Sequence, residues 1–150
     1  MVNRGNQGPA KGTNPASSGP AGSEFEAQVG ATYLLATLLA AEPLGFPGSM
    51  DEPVELQRAS EGYPLDDIIV HAHNTAGVPA ILEIQVKRSV TFAPSDDVFK
   101  SVVAQIVLAA RKPGFWDSKH ELAVATARTS RKVDGAYQDV LTWARQLGSA

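Results

Sequence analysis

The sequence predicts an α/β domain in which helices flank a mixed central sheet. Three observations carry that reading. Apolar residues recur at helical spacing in two stretches before residue 113 and in a third after residue 132. Short segments at 53–59, 66–73, 78–88 and 121–127 alternate polar with apolar residues or run apolar throughout, as strands do. One helical stretch separates the third and fourth of these strands, so that pair is expected to run parallel through a right-handed crossover. The order is helix, three strands, helix, strand, helix, with no internal repeat.

The length of 150 residues suits one domain with a core of its own. An apolar content of 43% with 19% charged residues is that of an ordinary globular protein. There is no cysteine, which excludes disulfides and thiolate metal sites and makes a reducing cytoplasm the expected compartment. The formal charge of −3 argues against a generally basic coat, but Arg111, Lys112, Lys119, Arg128, Arg131 and Lys132 face only Asp117 and Glu121 in their part of the chain. The local field of a cleft matters more than the total charge. No uninterrupted apolar run reaches the ~18 residues of a membrane span. The run from Ala27 to Ala41 is not a signal-peptide core, because Glu24, Glu26 and Gln28 sit where such a peptide needs basic or apolar residues.

Residues 1–22 hold five glycines and three prolines and lack large apolar residues after Val2, so they read as a disordered tail. The domain then spans 23–150, and its last residues, Gly148, Ser149 and Ala150, suit either a natural end or a linker into a longer protein. Ser23 and Glu26 have capping-box spacing. Behind them Phe25, Val29, Leu34, Leu35, Leu38 and Leu39 form an apolar face that ends before Pro43. Residues 43–51 read as a loop, and a short strand follows at 53–59. The second strand covers Asp66–His73, Asn74–Gly77 forms a hairpin turn, and Val78–Arg88 is the third strand. Ser95 is placed to cap the next helix, with Asp96 and Asp97 at the positive end of its dipole. That helix runs to Lys112, where Pro113 and Gly114 stop it. Leu122–Thr126 is apolar enough to be an interior strand, and Val133–Leu147 completes the order as a helix.

The chemistry concentrates between Pro64 and Lys87. Alternate residues of a strand share a face, so Glu83, Gln85 and Lys87 project together while Ile84 and Val86 point the other way. Three polar groups on one side of a buried strand are costly unless they are paired or bind something. Just upstream stands a doubled acid, Asp66 and Asp67. Parity with Ile68 and Val70 puts Asp67 on the polar side, and both remain candidates.

This order of elements, with Pro64-Leu65-Asp66-Asp67 ahead of Gln85-Val86-Lys87, resembles the PD-(D/E)XK nuclease superfamily. The glutamine variant resembles that of Mrr-type restriction nucleases. The phrases Asp-Asp-Ile-Ile-Val and Ile-Gln-Val-Lys-Arg-Ser also resemble the N-terminal double-stranded DNA endonuclease domains of bacterial anti-phage defence proteins. The resemblance implies a restriction-endonuclease-like αβββαβα core, hydrolysis of DNA phosphodiester bonds, and Mg²⁺ or Mn²⁺ as cofactor. It implies that Asp67 (or Asp66), the Gln85 side chain and the Val86 carbonyl hold the metal, and that Lys87 handles the water or the developing charge. Gln85 stands where an acid is usual, and Glu83 or Glu26 are the carboxylates that would compensate. Two cuts need two sites, so a homo-oligomer or a larger multidomain assembly is the expected partner state. RNA or branched DNA as substrate, or an inactive module that only binds nucleic acid or protein, are the alternatives.

The basic residues Arg88, Lys119, Arg128, Arg131 and Lys132 are candidates to grip DNA phosphates. Gln105 lies on the helix after the signature and could face the site. His71 and His73 have zinc-like spacing without further ligands in the sequence and read as a surface pair at the hairpin end. Trp116 and Trp143 read as packing residues.

Overall fold

The computed structural model describes residues 19–128 and, beyond them, 133, 135, 138, 139 and 142. The order within 19–128 is α1 (Pro20–Leu38), β1 (Ser49–Leu56), a single 3-10 turn at Ala59–Glu61, β2 (Ile68–Asn74), β3 (Pro79–Lys87), α2 (Asp97–Ala110) and β4 (Lys119–Thr126). The strands form one mixed sheet in the order β1-β2-β3-β4. The first two neighbour pairs are antiparallel, and β3 and β4 are parallel with α2 between them. The α/β class and the mixed sheet are therefore as expected. Most of the last expected helix, Arg131, Lys132, Trp143 and most of the expected tail lie outside the described residues.

Each boundary has a local cause. α1 starts at Pro20, three residues ahead of expectation, because proline lacks the N–H that a first helical residue leaves unpaired. Gly19 is its N-cap and no side chain caps it, so Ser23 and Glu26 form no capping box. The helix ends before Pro43 is reached. The Ala41 N–H donates to the Ala36 carbonyl (2.9 Å) and the Ala40 N–H to that of Thr37 (3.2 Å), with Ala40 in the left-handed region at φ 49°. That is a Schellman ending with alanine where glycine is usual.

β1 starts within the expected loop and stops at Leu56, three residues short of expectation. Pairing passes from Asp51–Ala72 to Val54–Val70, so one extra residue bulges out of β1 around Pro53. Proline cannot donate to the ladder, and an edge strand tolerates it. Gln57, at φ 55°, turns the chain out of the strand. The hairpin turn falls where the sequence puts it. Asn74 Oδ1 accepts from the N–H groups of Ala76 and Val78 at 2.9 Å each, and Gly77 has the required positive φ of 75°. Asp96, rather than Ser95, caps α2, accepting the Phe99 N–H at 2.8 Å.

β4 is an edge of the described sheet and only half-buried along 122–126, not the interior strand its apolar run suggests. The core lies on one face of the sheet, where Ile68, Val70, Leu82, Ile84 and Val86 pack with Tyr33 and Phe46. α1 covers it through Phe25, Val29 and Tyr33, which are four residues apart and so share one helix face. Leu34, Leu35, Leu38 and Leu39, expected on that face, are exposed, Leu38 to 83%. Trp116, expected to pack, is 80% exposed, with its ring edge-on to Phe115.

The Ala40 ending yields a test. Left-handed backbone costs an alanine roughly 1–2 kcal/mol, part of which glycine returns through its greater freedom when unfolded. Ala40→Gly is expected to stabilise the domain by about 0.5–1 kcal/mol, read from a shift in urea midpoint at unchanged slope.

Candidate active site

The opposite face of β3 carries the polar residues. Strand parity brings Glu83, Gln85 and Lys87 to that face, and two of them are sealed from water: Glu83 is fully buried and Gln85 is 2% exposed. The segment 64–67 reaches the same face from the start of β2. Its backbone is held from two sides. The carbonyls of Asp67 and Asp66 accept the N–H groups of Gln57 and Arg58 at 3.1 and 3.0 Å, and the Leu65 N–H donates to Glu83 Oε2 at 3.2 Å.

That anchoring delivers Asp67 to the end of β3. Its Oδ2 accepts the Val86 N–H at 2.7 Å, the Gln85 side-chain amide, and the Lys87 ammonium at 3.4 Å. Asp67 and Lys87 stay partly open to water, with side chains 18% and 34% exposed. With its nitrogen committed to Asp67, the Gln85 amide leaves Oε1 buried without a hydrogen-bond partner.

A cleft of about 710 Å³ opens over this point, lined by Glu26 of α1, by Asp67, Val86, Lys87 and Arg88, and by Asp97 and Ser101 of α2. Glu26 is fixed there by Gln57, whose Nε2 donates to Glu26 Oε1 at 3.1 Å. Gln57 thus ties α1 to the Asp67 backbone. The structure brings together Glu26, Asp67, Gln85, Val86, Lys87 and Arg88. Arg88 and Arg128, at the ends of the parallel strands β3 and β4, also line a neighbouring hollow of about 310 Å³.

Other candidates stand elsewhere. Asp66 does not line the cleft. Burial lifts its carboxyl above the usual range, with Asp67 and Glu83 adding to the rise against the opposing effects of its own backbone and Lys87. Glu83 points inward. Its Oε1 receives the Lys112 ammonium at 2.9 Å, and His120 Nε2 lies 2.9 Å away without the alignment of a hydrogen bond. Burial raises the Glu83 carboxyl, but His120, Lys112 and the Leu65 N–H together outweigh it and hold the group below its usual range. Lys119 belongs to the far end of the sheet. It pairs with Ala80, seven residues from Lys87 or about 23 Å along the strand, and its ammonium meets Ser49 Oγ at 3.1 Å. Gln105 is half-buried with an unpartnered Oε1 and does not line the cleft. His71 Nε2 lies 3.5 Å from Glu55, and among the described residues no group of three or more His, Cys, Asp and Glu could hold a metal.

Sequence reasoning missed Gln57, Asp97 and Ser101 as residues of the cleft or its frame. Asp97 and Ser101 are four apart on α2, a spacing that marks a shared face but not what the face meets. Gln57 offers no signal, since its place depends on a positive φ. No family model, curated protein or solved structure matches the chain.

The Asp66 shift has a consequence for stability. A carboxyl raised in the folded state stabilises below its unfolded pKa, and that contribution is lost as pH rises through the folded value. At neutral pH the ionised Asp66 therefore opposes folding. Asp66→Asn is expected to raise the melting temperature at pH 7 in EDTA, with the gain shrinking as pH falls into the carboxylate range.

Proposed function

We propose that this chain is a metal-dependent endonuclease domain of restriction-endonuclease-like type that hydrolyses phosphodiester bonds of double-stranded DNA, serving as an effector in bacterial anti-phage defence. The observation that carries the reading is the convergence of Asp67, Gln85, Val86 and Lys87 at the floor of one open cleft. The oxygen donors available there suit a hard divalent cation such as Mg²⁺ or Mn²⁺. They are the Asp67 carboxylate, the buried Gln85 Oε1 that lacks a partner, and the Val86 carbonyl. Such a cation supplies Lewis acidity and lowers the pKa of a bound water.

The protein's own groups take the remaining roles. Asp67, held by the Val86 N–H and the Gln85 amide, is a carboxylate of fixed direction. Lys87 stands at the cleft floor beside Asp67, where it orients the attacking water or stabilises charge developing on the phosphate. Arg88 supplies a phosphate contact at the rim, and Arg128 extends it along the strand ends. Glu26 is the second carboxylate of the cleft. Glu83 has both oxygens engaged inside the fold, so Glu26 is the better compensator for the neutral Gln85.

A second reading is favoured by the same geometry. Asp67 Oδ2 already meets three donors, as it would in an inactive module that only binds nucleic acid or a protein partner. The two readings part on one experiment. The purified protein at high concentration is incubated with supercoiled plasmid and Mg²⁺ or Mn²⁺, with a structured RNA in parallel. Nicking or linearisation that EDTA stops is expected, with Asp67→Ala and Lys87→Ala each slowing it about 10²-fold or more. Cleavage at the same rate in both variants excludes this site, and faster turnover of RNA than of plasmid moves the substrate class.

A further inference from the structure

The Glu83 carboxylate is two residues from Gln85 on one strand face, yet it does not open to the cleft. It is fully buried and spans two parts of the fold. Oε2 accepts the Leu65 N–H, two residues ahead of Asp67, and Oε1 receives Lys112 from the chain just beyond α2, with His120 of β4 beside it. Lys112 is itself directed, with its ammonium 4.7 Å from the centre of the Tyr63 ring, on the chain leading into the aspartate segment. Leu65 is fully buried as well, so a shift of its backbone has no room to relax without carrying Asp67 along.

A buried carboxylate is costly, and an apolar side chain at 83 would pack at lower cost. What an apolar residue cannot do is accept the Leu65 N–H. Segment 64–67 precedes the ladder of β2, so that N–H has no strand partner, and Glu83 replaces one. The carbonyl bonds from Gln57 and Arg58 hold the segment from its other side.

We propose that Glu83 is a positioning residue for Asp67, acting through its hydrogen bond with the Leu65 N–H, with Lys112 as the countercharge that lets the carboxylate stay buried. The proposal rests on the reading of Asp67 as a metal-holding carboxylate. It assigns Glu83 no contact with metal or substrate.

The test uses the full chain, with Mn²⁺ as probe and three variants. Glu83→Leu removes the acceptor, Glu83→Gln keeps an acceptor oxygen of the same reach, and Asp67→Asn alters the carboxylate alone. Two quantities are read: hydrogen exchange at the Leu65 amide without metal, and Mn²⁺ affinity by titration calorimetry. Glu83→Leu is expected to speed Leu65 exchange and weaken Mn²⁺ binding about tenfold, the usual scale for a group that orients a ligand. Glu83→Gln is expected to restore both to within about threefold of wild type. Asp67→Asn is expected to lose Mn²⁺ binding while leaving Leu65 protected. If Glu83→Leu does not fold, Glu83→Leu combined with Lys112→Leu removes the unpaired cation and carries the same two measurements. Wild-type Mn²⁺ affinity in a folded protein without the Glu83 acceptor overturns the positioning role, as does weakened affinity with Leu65 still protected. Mn²⁺ binding indifferent to Asp67→Asn overturns the nuclease reading instead, whatever Leu65 exchange shows.

Discussion

A strand whose two faces are both buried, one of them carrying a carboxylate and a carboxamide, imposes a condition on everything around it. β3 sits between β2 and β4, with Leu82, Ile84 and Val86 in the apolar core and Glu83 and Gln85 closed off behind it. Polar groups in such a place must find partners within the protein. Glu83 draws in Leu65, Lys112 and His120, one from the segment before β2, one from beyond α2 and one from β4. Gln85 draws in Asp67. The approach of the aspartate segment to the end of β3 is thus in large part the satisfaction of two buried side chains, and the cleft forms where that segment, α1 and the start of α2 meet.

Much of this frame can be read from the residues, wherever the cause is local. The Asn74–Gly77 turn is set by an Asn side chain and a glycine φ, and the parallel pairing of β3 with β4 follows from a helix-length connection. Where a boundary has a cause the pattern does not display, the reading slips. Ala40 ends α1 in a backbone state that alanine avoids, while Pro43 looks like the stop. Asp96 competes with Ser95 for one cap, and sequence alone does not show which is seated below the free N–H groups. The run of leucines in α1 looks like its buried face, yet the burying positions are Phe25, Val29 and Tyr33. Ser23, Glu24, Gln28, Thr32 and Thr37 put polar groups on several sides of this helix, so periodicity alone gives no direction.

The candidate site shows the same division. Asp67, Gln85 and Lys87 are legible because strand parity converts spacing into a shared face. Of the two neighbouring aspartates, the structure turns Asp67 to the end of β3 and leaves Asp66 partly buried outside the cleft. Parity is silent about depth along a face, and Glu83 shares its side with Lys87 while lying in the interior. Lys119 illustrates the converse, since a basic residue near others in sequence is carried by its strand to the far end of the sheet. Glu26, singled out in sequence for two roles, loses the capping role and keeps its place in the cleft through Gln57.

Glu83 also bears on the neutral residue at position 85. A carboxylate there would be nearly enclosed, one side chain along the same face from an ionised Glu83 and in contact with Asp67. Like charges at such distances in a poorly solvated site resist joint ionisation, and one of the three would hold its proton. The available cations do not change that balance, because Lys112 is committed to Glu83 and Lys87 faces Asp67. A glutamine keeps an oxygen in place, adds no charge, and offers an amide that Asp67 accepts. The carboxamide at 85 is therefore the side chain that the carboxylate at 83 permits. In the proposed reaction the negative charge missing at 85 comes from across the cleft, at Glu26, which is only half-buried.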